Sequence, residues 1–209
     1  MRLPERSGDQ VRIGVAITVP EPYGSELQAA RARFGDPWAE YIPPHITLLP
    51  PTVVEHDAMP AVDEHLAAVA AQHAPFVVRL RGTATFRPVS PVVFMQLVEG
   101  ISGCEGLEAD VRGGVLAQEL RFPYHPHVTI AHEVPDAQLD TAFDGMADFD
   151  ATFVVTRLHC YAHGDDGVWR PSRDFVLTGR APEGSDVGEP GGAHDGEQRP
   201  ADAGSMTST

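Results

Sequence analysis

Two short stretches repeat a histidine and a threonine at the same spacing: P-H-I-T-L at 44–48 and P-H-V-T-I at 126–130. Along an extended strand, side chains i and i+2 share a face. His45 therefore points with Thr47 and His127 with Thr129, while Ile46, Leu48, Val128 and Ile130 point the other way into a core. A proline precedes each histidine, Pro44 and Pro126, and stiffens the chain where the ring must be aimed. Two such strands facing across a cleft would set two imidazoles on opposite sides of a small substrate, each with a hydroxyl beside it. That arrangement suits in-line displacement at phosphorus. One neutral histidine takes a proton from water, the other, protonated, gives one to the leaving oxygen, and the hydroxyls bond the non-bridging oxygens. A reference pKa near 6.5 lets one ring be neutral and the other charged close to neutral pH. The chemistry requires no metal and no cofactor. Each acid or base contributes about 10²–10⁴ in rate, which suffices for a strained five-membered cyclic phosphate.

The plain alternative is a pair of half-buried strand histidines bonded locally, but five residue classes repeated in order argue against coincidence. His125 and His132 flank the second copy, and His125 is expected to be merely solvated. The HPH and HCYAH stretches raise a metal reading, yet the carboxylates that usually complete such hydrolase sites are missing nearby, so no metal is expected. Tyr41, Phe86 and Tyr124 lie near the motifs and could stack on a base, Phe86 and Tyr124 before Tyr41. Trp38 and Trp169 are assigned to packing, and Arg87 and Arg121 are the nearest cations for a phosphate or ribose.

The elements that must position these residues follow from periodicity. VRIGVAITV at 11–19 alternates, with Val11, Ile13, Val15, Ile17 and Val19 on one face, and is a strand. SELQAARARF spaces Leu27, Ala30, Arg31 and Phe34 as a helix, and HITLL is a short strand. Pro60 opens a second helix carrying Val62, Leu66, Val69 and His73, and residues 75–86 form a strand. The pattern then restarts: a strand at 92–98, a capping box at SGCE ahead of a helix with Leu107, Val111, Val115 and Leu116, and the HVTIAHEV strand. A helix with Leu139, Phe143 and Met146, one long strand ATFVVTRLHCYAH, and a hairpin through GDDG into WRPSRDFVLTG complete it. The order strand, helix, HxT strand, helix, strand thus occurs twice, with His45 and His127 offset by 82 residues. The expectation is a duplicated, bilobal α+β fold: two antiparallel sheets facing a central cleft, helices outside, related by a pseudo-two-fold axis. A single doubly wound sheet is the competing arrangement. The domain spans 1–180, with lobes at about 11–88 and 91–179.

Composition bounds the rest. At 209 residues the chain suffices for one domain with a core that needs no disulfides. Two cysteines, Cys104 and Cys160, and no apolar leader or membrane-length segment suggest a reducing, cytoplasmic setting. The net charge is −15, and the segment 181–209, with six carboxylates against Arg199 alone, is expected to be a disordered acidic tail. Without it the body is still at −10, which argues against a long nucleic-acid footprint. The partner is then a small nucleotide or an RNA terminus, met by a monomer. All fifteen cations are arginine, so Schiff-base, lysyl-nucleotidyl and P-loop lysine chemistry is excluded.

The paired P-H-x-T-aliphatic motifs, their order and their spacing resemble those of the two-histidine phosphoesterase superfamily, the group often labelled 2'-5' RNA ligase-like, over about residues 11–179. The resemblance implies a bilobal α+β duplication in which His45 and His127 act as general acid and base and Thr47 and Thr129 hold the phosphate. It implies opening of 2',3'-cyclic phosphates at RNA or nucleotide ends, with some members acting on ADP-ribose cyclic phosphate and some joining RNA through a reversible 2'-5' linkage. One departure bears on substrate. RNA-acting bacterial members often read H-x-T-x-A-R, whereas here His132 stands at the arginine's place, leaving small nucleotides as plausible as RNA ends. His132 can still donate to phosphate when protonated. Hydrolysis by a cyclic phosphodiesterase is the expected activity. Ligation on the same site, a silent nucleotide- or RNA-binding module, and a metallohydrolase are the alternatives, and the motif's near symmetry leaves open which histidine is the acid.

Overall fold

The computed structural model describes residues 3–119 and 122–180; the expected acidic tail and Arg121 lie outside the described residues. The chain runs β1 (Gln10–Thr18), α1 (Tyr23–Arg33), β2 (His45–Glu55), α2 (Met59–Gln72), β3 (Phe76–Thr85), β4 (Val92–Glu99), α3 (Ile101–Val111), β5 (His127–His132), α4 (Asp136–Gly145), β6 (Asp150–Val155), β7 (Arg157–His163) and β8 (Trp169–Val176). The fold is α+β, and its strands form one antiparallel sheet in the order β6-β3-β4-β5-β2-β1-β7-β8. The two expected sheets are the halves of this one, joined at the centre where Ile46 of β2 pairs with Val128 of β5.

The halves do not divide the chain at residues 88–91. β3 pairs with β4 and β6, and β7 pairs with β1 and β8. Each half of the sheet is thus built from both halves of the sequence. The stretch read as one long strand is two, broken at Thr156, with β6 at one edge of the sheet and β7 in the opposite half. Alternation explains the break: Ala151, Phe153 and Val155 are buried, then Leu158 and Cys160, so the inward parity switches across Thr156 and Arg157.

Helix α3 also departs from the sequence reading. It begins at Ile101 behind Gly100, whose φ of 85° is left-handed, so Ser102 lies inside the helix and the expected capping box is not formed. A Cβ at Gly100 would sit 2.4 Å from Val77 O, which excludes other residues there. The helix ends at Val111, and Val115 of the expected stripe is exposed. HITLL extends to Glu55 through Pro50 and Pro51, which fall where the β1–β2 register shifts, a place that tolerates a missing N–H.

The main core gathers one face of the sheet (Ile13, Val15, Ile17, Ile46, Val128, Ile130) and the helices (Leu27, Leu66, Leu107, Leu139). Burying each such side chain stabilises the fold by about 1.5–3 kcal/mol, which holds the two central strands despite their sparse pairing. A separate small cluster of Ala16, Tyr161 and Trp169 lies apart from that core. Cys104 and Cys160 are buried free thiols, and burial pushes the Cys104 thiol up to about 12. Among the described residues no helix is long and apolar enough to cross a membrane.

Candidate active site

A cleft of about 810 Å³ has His45, Thr47, His127 and Thr129 in its wall. The register that sets Ile46 opposite Val128 places His45 across from Thr129 and Thr47 across from His127. Each imidazole is therefore flanked by its own threonine along the strand and by the other copy's threonine across it.

Both rings are aimed by the same local bond. His45 Nδ1 lies 2.7 Å from Pro43 O, and His127 Nδ1 lies 2.7 Å from His125 O. A carbonyl oxygen only accepts, so Nδ1–H donates in each case, and the neutral ring keeps its lone pair on Nε2. Burial holds the His45 imidazole down at about 4, with the nearby charges of Arg31 and His127 adding to the effect. His127 is lowered in the same way, first by burial and then by His125. Burial disfavours the charged form of each ring, so both are neutral bases near pH 7.

The other expected residues fall at different places around this centre. Tyr124 donates its hydroxyl to Thr47 O at 2.9 Å, fixing the first motif strand, and burial raises its phenol above the ordinary range. Phe86 packs on Phe94 at 4.3 Å between centroids and meets the His127 ring edge-on at 5.0 Å. His132 reaches the cleft because β5 bulges opposite Val93 and Phe94: Ile130 and Ala131 are both buried, and the next residue turns back toward the motif face. Its imidazole is lowered mainly by burial. His125 also lines the cleft, stacked near His127 at 6.4 Å.

Several expectations need correction. Arg87 is bound to Asp140 at 2.8 Å and is absent from the cleft wall. Tyr41 likewise stays out of the wall and meets Trp38 edge-on at 6.1 Å. Trp38 and Trp169, assigned to packing, both line the cleft. Among the described residues the arginine that does line it is Arg31, 4% exposed, whose Nε donates to Asp36 Oδ2 at 3.0 Å and whose Nη1 donates to Ile42 O at 2.5 Å. Its signal in the sequence was a charged residue at an apolar position of a helical stripe. Removing one member of such a buried pair costs about 3–5 kcal/mol. Among the described residues no group of three or more His, Cys, Asp or Glu side chains is arranged to hold a metal.

The sequence model of the 2'-5' RNA ligase superfamily matches residues 19–167. A candidate phosphoesterase of Geobacillus kaustophilus is 25% identical over 172 residues, covering 81% of this chain and 98% of that protein. One of Bacillus licheniformis is 28% identical over 169 residues, covering 80% and 99%. Among solved structures, E. coli LigT complexed with 3'-AMP superposes with a TM-score of 0.60 at 19% identity, covering 81% of this chain and 99% of LigT. A Thermus thermophilus protein superposes with a TM-score of 0.58 at 24% identity, covering 81% and 100%.

Proposed function

The chain belongs to the 2'-5' RNA ligase superfamily of two-histidine phosphoesterases, and from that membership and its cleft we propose that it is a metal-independent phosphodiesterase opening 2',3'-cyclic phosphates of small nucleotides or RNA ends. The observation that carries the reading is the matched pair of imidazoles, each locked through Nδ1 to a carbonyl two residues back, so that both keep Nε2 for the cleft.

The phosphoryl group sits between the two rings. Nε2 of one ring takes a proton from water as the water oxygen bonds to phosphorus. The bond to the opposite ring oxygen breaks, and that oxygen takes the proton carried by the other imidazole. A cyclic diester and a water thus become a monoester with a free hydroxyl, and the two rings exchange protonation states, which solvent restores. Because burial keeps both rings neutral in the free protein, it is the negative charge of the bound phosphate that favours protonation of one of them. Thr47 and Thr129 donate to the non-bridging oxygens, whose charge is sustained through the transition state. Water replaced by an RNA 5'-hydroxyl would run the same side chains as a ligase. The acidic body and the single cation in the cleft wall among the described residues favour the hydrolytic reading and a short substrate. That E. coli LigT has been crystallised with 3'-AMP, ATP and NADP+ supports a nucleotide as the bound group.

The test is turnover of nucleoside 2',3'-cyclic phosphates, ADP-ribose cyclic phosphate and 2'-5' linked dinucleotides in excess chelator. The expected result is release of a monoester from a cyclic phosphate at a rate the chelator leaves unchanged. Binding without turnover of any of these would leave a silent nucleotide-binding module, and loss of activity with chelator a metallohydrolase; either result overturns the proposal.

A further inference from the structure

The duplication extends to two ion pairs, each anchored on a buried helix residue, and there it is reversed. Leu27, Ala30 and Arg31 of α1 and Phe34 at its C-cap recur at the same spacing as Cys104, Leu107, Glu108 and Val111 of α3, and all eight are buried. Arg31 and Glu108 are thus equivalent positions, each 4% exposed and each in the cleft wall. Arg31 is paired with Asp36 beyond its helix and donates to Ile42 O in the segment leading to β2. Glu108 is paired with Arg112 at its helix end, and Arg112 donates to Gln118 O at 2.7 Å in the segment leading to β5. Each pair clamps the approach to one motif strand, but the helix member is a cation in one copy and an anion in the other. Helix α1 packs against β5 and α3 against β2, so each charge is carried by the helix that packs on the other copy's motif strand.

The charges bear on the two rungs that flank the Ile46–Val128 pair, His45–Thr129 and Thr47–His127. Arg31 acts on the rings of His45 and His132, and Glu108 acts on Tyr124, which holds Thr47. Arg31 spends Nε and Nη1 on the protein, and Nη2 has no protein partner among the described residues. A cation this buried, with one donor group left over at the wall of a cleft, matches an oxyanion rather than water alone.

We propose that Arg31 binds a phosphoryl oxygen of the substrate at the His45–Thr129 end of the cleft, and that the reversed pair at Glu108 fixes one orientation, with the uncharged, donor-bearing part of the nucleotide toward the Glu108–Tyr124 end. Arg31 then supplies, from another element, the cation missing at position 132. The assignment rests on the phosphoester reading above, and its test measures binding without turnover, so the two fail separately.

Isothermal titration of the full chain with inorganic phosphate, beside circular dichroism and melting curves, reads it directly. Arg31→Gln/Asp36→Asn replaces the pair by neutral hydrogen-bonding groups, and phosphate affinity should fall about tenfold or more. Asp36→Asn alone breaks the ion pair yet keeps the cation, and should bind phosphate at least as tightly as wild type. Glu108→Gln should leave phosphate affinity within twofold and weaken binding of 3'-AMP severalfold. The proposal is overturned if wild type takes up no phosphate, if the folded double variant binds it within twofold of wild type, or if Asp36→Asn loses as much as the double variant, which would make the pair purely structural. Equal effects of Glu108→Gln on phosphate and 3'-AMP would overturn the orientation.

Discussion

The strands that begin at His45 and at His127 are close copies in shape and unequal in surroundings. Their first six residues share one burial pattern: the histidine and threonine half-buried, the residue between them buried, then two buried residues in succession before the chain returns to the cleft. A bulge at the same place produces this in both. Past the bulge the copies part, with Pro50 in one and His132 in the other. The neighbours differ as well. Burial acts first on both rings, but His45 also has the charge of Arg31 nearby, whereas His127 lies among Phe86, Phe94 and His125. The backbone repeats what chemistry needs twice, an aimed imidazole beside a hydroxyl, while the flanking side chains are free to tell the two ends of a substrate apart.

The largest effect should come from breaking either copy. His45→Ala and His127→Ala are each expected to lower kcat/KM on a cyclic nucleotide by about 10²–10⁴, and the double variant to lose little more than the worse single one, because the two rings act in one step. Additive losses in steady-state assays would mean that the rings act in separate events. Next come the hydroxyls: Thr47→Val and Thr129→Val should each remove about 10²–10³ from kcat, with melting temperatures near that of wild type. A loss confined to one threonine would show that the phosphate leans on one strand.

Protonation should separate the copies further. His45 is lowered in the folded state from 6.5 to about 4, so its neutral form is favoured by folding. The stability this gives is complete above pH 6.5 and is lost as pH falls toward 4, about 3 kcal/mol in all. Urea unfolding across that range should show the loss, and His45→Gln should reduce it, the remainder coming from the other lowered imidazoles such as His127 and His132. The same lowering of both rings places the maximum of kcat/KM, where one ring is charged and the other neutral, below pH 6.5. A profile that peaks above that value would contradict the buried setting of the rings. The smallest effect is expected from Tyr124→Phe, which removes the bond to Thr47 O and should cost about 1 kcal/mol of stability in denaturant melts; no equivalent tyrosine bond braces Thr129 among the described residues.

Much of this was legible in the residues. The strand faces of Ile13, Val15 and Ile17, the repeated HxT pattern and the hairpin at the end are local period-two signals, and local signals survive folding. The exchange of β3 and β7 between halves was not legible, because pairing partners 60 or more residues apart leave no mark on either strand. The break at Thr156 did leave one, in the switch of inward parity, but two apolar runs placed end to end read more simply as one strand. Ser102 followed by Glu105 imitates a capping box, and only the left-handed Gly100 packed on Val77 O decides where the helix starts. Arg31 was hidden by its own spacing: on an apolar stripe a lone cation reads as a helix that tolerates it, until Asp36 and Ile42 are seen to hold it at the cleft.

The central claim is that both imidazoles face one phosphate. The most direct measurement is a histidine ¹⁵N NMR titration with 3'-AMP, the His45 and His127 signals identified through their alanine variants. The account predicts that both rings are neutral Nδ1–H tautomers at pH 7 in the free protein and that both Nε2 signals shift along a single one-to-one isotherm. A titration that moves only one of the two rings, or finds either already charged before ligand is added, would contradict it.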